Sequence, residues 1–308
     1  MMGIFSRWIE SLDYEVTISK ACTRKKSPHS RCDQCLSACS KQALLLHEGQ
    51  VAIDRNLCND CGECLVSCPV QAIKGIYPKR NRIGEHLVYS DEYVPTEKEL
   101  LVHYKKGIKA ITTAGKQLNE KWKDVLSKTN ESLEKLGETP FRVVEKQLTQ
   151  EEVTYTRREL FFFWKEESQS LLKEIMPAQF RFNQEDLNLL HHYPDFQFAS
   201  IEVNQETCSI CGACTFLCPT HCIKIEDGKM LLQPSQCTKC NLCAEICPEK
   251  AISVTLGILP KKDTILLTAK KVCEQCGSTF ESLSQDGMTC VSCTKRGRFG
   301  SVHERTGV

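Results

Sequence analysis

Hydrophobic positions recur every three or four residues through the middle of the chain, which is the period of one face of an α-helix. Lysines and glutamates fill the positions between them, so the pattern predicts one long helix over residues 96–136. Gly107 and Gly115 lie inside it and weaken it. A second helix is predicted over residues 157–175, ending before Pro177. The apolar positions of the first helix are Leu101, Tyr104, Ile108, Ile111, Leu118, Trp122 and Val125.

Two short segments outside this region predict β-hairpins. Residues 43–51 contain a Glu-Gly turn between two apolar runs, and residues 223–231 contain an Asp-Gly turn in the same setting. The helical middle and the flanking hairpins together predict an α+β protein.

Charge and apolar content limit what the chain can be. Among its 308 residues, 40 are Lys or Arg and 39 are Asp or Glu, which argues against a strongly basic nucleic-acid binder. No apolar run approaches the roughly 18 residues that a membrane span needs. The first fourteen residues lack a secretory apolar core, so a cytoplasmic protein without a membrane span is expected. The sequence has 21 cysteines, and metal ligation is predicted for them rather than disulfide bonding, because a reducing cytosol disfavours disulfides.

Twenty of the cysteines form five groups of four. Groups two, three and four each read C-x2-C-x2-C-x3-C-P, the spacing that binds [4Fe–4S] clusters. Three closely spaced thiolates hold three corners of one cube, and the fourth cysteine, before proline, ligates the neighbouring cluster. These groups are Cys58, Cys61, Cys64 and Cys68; Cys208, Cys211, Cys214 and Cys218; and Cys237, Cys240, Cys243 and Cys247.

The first group, formed by Cys22, Cys32, Cys35 and Cys39, departs from this spacing. Nine residues separate Cys22 from Cys32, and Ser40 replaces the proline. We interpret the group as a fourth run with an expanded first loop. The alternative is a labile or three-iron centre with only three protein thiolates.

One cysteine, Cys222, is left over. It stands where Ala43, Ala72 and Ala251 stand in the other runs, and it is therefore predicted to be a small buried hydrophobe. A ligand-swapping or redox role is the alternative.

With these motifs the chain resembles a bacterial polyferredoxin, built from two ferredoxin lobes that each hold two [4Fe–4S] clusters. The resemblance covers about residues 16–80 and 200–260. It implies two 2[4Fe–4S] ferredoxin-like lobes, one over residues 1–84 and one over residues 200–260. A helical linker over residues 85–199 would join them.

The family's ligation is crossed between the two runs of a lobe. Eighteen residues separate Cys39 from Cys58 and Cys218 from Cys237, which favours pairing run one with two and run three with four. Pairing one with four and two with three occurs in electron-transfer subunits of molybdenum oxidoreductases and stays open, although the long insertion argues against it. The implied sets are Cys22, Cys32, Cys35 with Cys68; Cys58, Cys61, Cys64 with Cys39; Cys208, Cys211, Cys214 with Cys247; and Cys237, Cys240, Cys243 with Cys218.

The last group has the spacing of a zinc ribbon, in which two hairpin tips supply four thiolates to one tetrahedral ion. Thirteen residues separate its two C-x2-C pairs, so residues 261–308 are predicted to be a zinc ribbon with a basic tail. A rubredoxin-type iron site is the alternative. The ligands would be Cys273, Cys276, Cys290 and Cys293.

These sites predict a protein that carries single electrons to or from a cytoplasmic oxidoreductase. We found no sequence signature of a catalytic site. Four positive charges in residues 23–31 would attract an acidic partner such as a flavodoxin-like carrier. The middle helices would serve as a spacer or, through the aromatic run at residues 161–164, dock a redox partner. One alternative is an electron-wire subunit of a molybdenum- or hydrogenase-type complex. Another is an iron–sulfur and zinc regulator that binds nucleic acid.

Overall fold

A computed structural model describes residues 16–75, 77–78, 80–145 and 186–303, the side chains as far as residue 297. The chain divides into two compact units. Residues 26–32 group with the second unit, which otherwise starts at Pro194, and the remaining described residues form the first. Within the described ranges no helix combines the length and the apolar character that crossing a membrane requires.

The first unit begins with a small lobe around the first two cysteine runs. Strand β1 (Thr17–Ile18) pairs antiparallel with β4 (Ile73–Lys74). The predicted hairpin is confirmed as β2 (Leu44–His47) and β3 (Gln50–Ile53). The helices of the lobe are α1 (Thr23–Lys26), α2 (Gln34–Ala38) and α3 (Glu63–Ser67).

The middle of the chain is an α/β layer rather than a pair of helices. Strands β6 (His86–Val88), β7 (Ala110–Thr112) and β8 (Arg142–Val144) run parallel, with β5 (Arg82–Ile83) antiparallel at the edge. Helix α4 (Glu97–Lys105) connects β6 to β7, and α5 (Glu120–Lys135) connects β7 to β8.

The prediction of one helix over residues 96–136 is therefore wrong. Residues 110–112 are all buried, as is usual for a strand of a parallel sheet. Such a strand shows no alternation of apolar and polar residues, and its apolar positions therefore also fitted the period of a helix. The two glycines that were expected only to weaken the helix end its segments, because Gly107 has φ 95° and Gly115 has φ 82°. The start of the first segment is as predicted, since Thr96 forms a capping box with Glu99.

The predicted helix at residues 157–175 and the aromatic run at 161–164 lie outside the described residues. After that gap comes α6 (Leu189–His192), and the adjacent Tyr193 donates its hydroxyl hydrogen bond to the carbonyl of Leu101 in α4, 3.0 Å away. The end of the predicted linker, from Leu189 to Tyr193, thus packs on the α/β layer.

The second unit holds the other two runs. Strand β9 (Phe196–Val203) pairs antiparallel with β12 (Ile252–Pro260). The second predicted hairpin is confirmed as β10 (Ile223–Glu226) and β11 (Lys229–Leu232), and β13 (Thr264–Leu267) extends it. The helices are α7 (Ala213–Leu217), a 3-10 turn (Pro234–Gln236) and α8 (Leu242–Ile246).

The last cysteine group lies on a hairpin followed by a helix. Strands β14 (Ala269–Val272) and β15 (Thr279–Ser282) pair antiparallel, and α9 (Val291–His303) ends the described chain. The first cysteine pair occupies the hairpin tip, as expected. The second pair lies at the start of α9, so the prediction of two hairpin tips is wrong for that pair.

Candidate metal centres

A shared local fold places the cysteines of each run. The third cysteine is the second residue of a five-residue helix, and the fourth caps the end of that helix in an extended conformation. In runs two to four the residue before this helix is left-handed: Gly62 at φ 77°, Gly212 at φ 74° and Asn241 at φ 58°. The residue before the second cysteine is left-handed as well in these runs. Such turns aim successive backbone N–H groups into a concavity that suits an anion.

Run one lacks this loop geometry but shares the tail. Asp33, before its helix, has φ −130°. The residue three positions after the fourth cysteine is left-handed in every run: Gln42, Gln71, His221 and Lys250. The next residue donates its backbone N–H to the sulfur of the fourth cysteine at 3.2–3.4 Å in all four runs. Run one therefore has the same backbone conformation as the other runs after its fourth cysteine, whereas its loop before the helix is different.

One cavity in the first unit collects four cysteines from two runs. It has about 480 Å³ of empty space, partly open to solvent, and its lining includes apolar side chains such as Leu65 and Ile73. The cysteines that line it are Cys39, Cys58, Cys61 and Cys64.

A second cavity of about 310 Å³, also partly open, lies in the second unit. Met230 and Ile252 line its apolar side. Its cysteines are Cys208, Cys211, Cys214 and Cys247, so again three come from one run and the fourth from the next.

In the fourth implied set, the charges of Cys218 and Cys237 add to burial in raising the pKa of Cys240 and of Cys243, so these four cysteines influence one another electrostatically. Neither the two cavities nor these pKa shifts test the first implied set. Cys22, Cys35 and Cys68 belong to the first unit, whereas Cys32 falls in the segment grouped with the second. That set remains a prediction.

Burial sets the protonation of these thiols before any metal binds. It raises the pKa of Cys64 and Cys243 to about 12, and that of Cys214 and Cys240 to about 11, with neighbouring cysteines adding to the effect. At neutral pH these thiols carry protons. Because metals bind thiolates, filling the sites must release those protons.

The C-terminal group forms a compact set of four sulfurs. The Sγ atoms of Cys273, Cys276, Cys290 and Cys293 all lie within 4.8 Å of one another. Those of Cys276 and Cys290 are 3.8 Å apart, which is about the sulfur–sulfur distance of a tetrahedral ion with 2.3 Å Zn–S bonds. The backbone N–H of Cys290 donates to Cys273 Sγ at 3.3 Å. The four thiols therefore fit a zinc ion.

A buried charge network supports the second run, and sequence reasoning missed it. Arg80 bonds Glu99 of α4 at 2.6 and 3.0 Å and Glu63 of α3 at 3.0 and 3.3 Å. Glu63 directly precedes Cys64. Burial acts to lower the pKa of Arg80, but its bonds to Glu99 and Glu63 outweigh burial and raise it above its ordinary value. Lys98 also donates to the carbonyl of Cys68, at 3.1 Å.

Together the cysteine runs and their hairpins define a ferredoxin-like iron–sulfur protein, of the electron-transport, metal-binding class. Residues 50–73 and residues 231–253 each match a family described as "4Fe-4S binding domain". The curated relatives include the "Ferredoxin-type protein NapF" of Escherichia coli K12 and of Escherichia coli O157:H7, each 33% identical over 81 residues. The match covers 24% of this chain and 48% of each relative, so the chain spans about half the length of the curated relatives it matches.

Proposed function

We propose that the protein is a single-electron carrier with four [4Fe–4S] clusters in two lobes and a structural zinc ion in its C-terminal ribbon. The observation that carries the proposal is the composition of the two cavities. Each joins three cysteines of one run to the fourth cysteine of its partner run. That is the crossed ligation of a two-cluster ferredoxin lobe.

The proposed ligands are the four crossed sets inferred from the sequence. Runs one and two share the first lobe, and runs three and four share the second. Each set supplies four thiolates to one cluster, which would accept and release one electron at a time. The sets are Cys22, Cys32, Cys35 and Cys68; Cys39, Cys58, Cys61 and Cys64; Cys208, Cys211, Cys214 and Cys247; and Cys218, Cys237, Cys240 and Cys243.

The residues around the sites support exchange of electrons with a partner protein. Cys61 and Cys211 are exposed, so one edge of the second site and one edge of the third reach the surface. Phe216, between Cys214 and Cys218 in sequence, is 82% exposed and offers an apolar contact beside them. Apolar side chains line part of both cavities. We propose an oxidoreductase or a flavodoxin-like carrier as the partner.

Metal content tests the cluster count. We expect about sixteen iron and sixteen acid-labile sulfide per chain in anaerobically purified protein, because four cubanes each hold four of both. About fifteen iron would place a three-iron centre at the irregular first run. About eight iron or fewer would contradict a four-cluster carrier.

Zinc content tests the ribbon separately. We expect one zinc per chain, and Cys293→Ser should abolish it while the iron content stays unchanged, because the ribbon thiols lie apart from the cysteine runs in sequence. Limited proteolysis should then cleave within residues 269–297, since a module of this size needs its metal to fold. Ser292→Ala, an exposed neighbour in the same helical turn, is the matched control and should keep zinc. Iron in place of zinc would instead indicate a rubredoxin-type site.

A further inference from the structure

Cys222 is the one cysteine that the proposed ligation does not use. It is 3% exposed and packs among Ile223, Met230 and Leu232 in the core of the second unit. The prediction of a small buried residue is thereby confirmed. In the other three runs an alanine fills this position, so a thiol is not required for packing alone.

The thiol of Cys222 lies against two proposed ligands of one cluster. Its Sγ is 3.4 Å from Cys218 Sγ, and it also hydrogen-bonds the side chain of Cys237. Cys218 and Cys237 belong to the same proposed set, although they come from different runs. Cys222 therefore contacts two proposed ligands of one cluster that come from two different runs.

The backbone distinguishes Cys222 from a ligand. Its N–H donates to Cys218 Sγ at 3.4 Å, just as the alanine N–H groups donate to the fourth cysteine in the other runs. Cys218 thus occupies the ligand position and Cys222 the alanine position. A ligand thiolate carries no proton, so the proton in a contact between Cys222 and either ligand must come from Cys222.

We propose that Cys222 is a positioning residue whose single S–H, shared between the thiolates of Cys218 and Cys237, raises the reduction potential of the cluster that they hold. The inference rests on the proposed ligation. Reduction adds one negative charge to the cluster and its thiolates, and a donor aimed at those sulfurs stabilises that charge. One electron enters, no covalent bond forms or breaks, and the proton stays on Cys222.

The neighbouring site has no such donor at the matching position. Ala251 contributes only its backbone N–H to Cys247, at 3.2 Å. The hydroxyl of Thr220 lies 3.7 Å from Cys218 Sγ and is a second, more distant contact to the same ligand. We therefore expect the extra donor to favour reduction of the site of Cys237, Cys240, Cys243 and Cys218.

The test is a redox titration of the holoprotein followed by electron paramagnetic resonance. The signal of the site is assigned as the one lost in Cys237→Ser. Cys222→Ala recreates the residue of the other three runs, so it should fold and keep its iron. At a fixed poise we expect its oxidised-to-reduced ratio to rise about tenfold at that signal, which is about 59 mV for one electron. The other signals should not move.

Two further variants sharpen the reading. Cys222→Ser keeps a donor and should shift the potential less than Cys222→Ala does. Thr220→Val, the matched control, removes the more distant contact to Cys218 and should also shift the potential less. An unmoved potential with full iron would overturn this inference and leave the proposed function standing. Loss of about four iron in Cys222→Ala would make Cys222 a ligand and also overturn it. Wild-type protein without a cluster at the Cys237 run would overturn both proposals.

Discussion

Replacing Arg80 with methionine should lower the free energy of unfolding of the first unit by about 3–5 kcal/mol. That is the usual effect of removing one partner of a buried ion pair, because the other charge stays buried without compensation. Here the charge left behind is Glu99, which is fully buried, and Arg80 also loses its contact over the ring of Tyr93 at 4.3 Å. Urea unfolding of the holoprotein, followed by tryptophan fluorescence, measures the change.

Two comparisons separate this effect from a general loss of charge. Lys116→Met breaks the pair between Lys116 and Asp91, whose side chains are more than half exposed, and should change stability far less than Arg80→Met does, because water screens this pair. The double variant Arg80→Met with Glu99→Gln removes both buried charges and should recover part of the loss. Equal losses in the Arg80 and Lys116 variants would show that the buried network does not stabilise the fold.

The loss of stability in the Arg80 variant should also weaken the second cysteine run. Glu63 begins α3 and Cys64 follows it, so Arg80 fixes the helix that presents this cysteine. We expect the Arg80 variant to release iron faster than wild type when an iron chelator is added. The rate at the second lobe should not change.

Crossed ligation predicts a pattern of non-additive iron losses. Cys218→Ala alone and Cys237→Ala alone should each remove about four iron per chain, because each deletes a ligand of the same proposed cluster. Combining the two should remove no more than either alone. Combining Cys218→Ala with Cys208→Ala should remove about eight, because the two residues belong to different sets and their effects add.

The opposite pattern would indicate ligation within each run. Cys218 and Cys208 would then be redundant, and Cys218 and Cys237 would add. Ser209→Ala, between Cys208 and Cys211, is the matched control and should keep all of its iron. Sulfide analysis of the same samples shows whether a lost cubane leaves as a whole.

The parts of the fold that could be predicted from the sequence are those fixed by local chemistry. The turns of the two hairpins need left-handed residues, and Glu48-Gly49 and Asp227-Gly228 supply them. The cysteine spacings likewise depend only on the few residues between the ligands. The structure confirms the two hairpins, and the family matches support the 4Fe-4S binding that the spacings predict, because neither feature depends on a distant residue.

The errors came from features that depend on distant contacts. Residues 110–112 form a strand because β6 and β8 lie on either side of them, and an isolated apolar triplet does not indicate such neighbours. Arg80 finds Glu63 and Glu99 only after the lobe and the α/β layer have packed together. Thr96 and Glu99 form their capping box within one turn of chain, but nothing in the sequence alone indicated that Glu99 would also bind Arg80.

The four amides that bond the fourth cysteine of each run also determine how these positions tolerate substitution. Since the donor belongs to the main chain, exchanging one side chain for another leaves the bond to sulfur in place. Only proline would delete it, because proline has no N–H. The side chains at positions 43, 72, 222 and 251 must therefore be small, but they can be polar or apolar. A polar side chain there adds a second hydrogen-bond donor and leaves the backbone N–H donor in place. Only the third of the four runs has such a side chain, the thiol of Cys222, at this position.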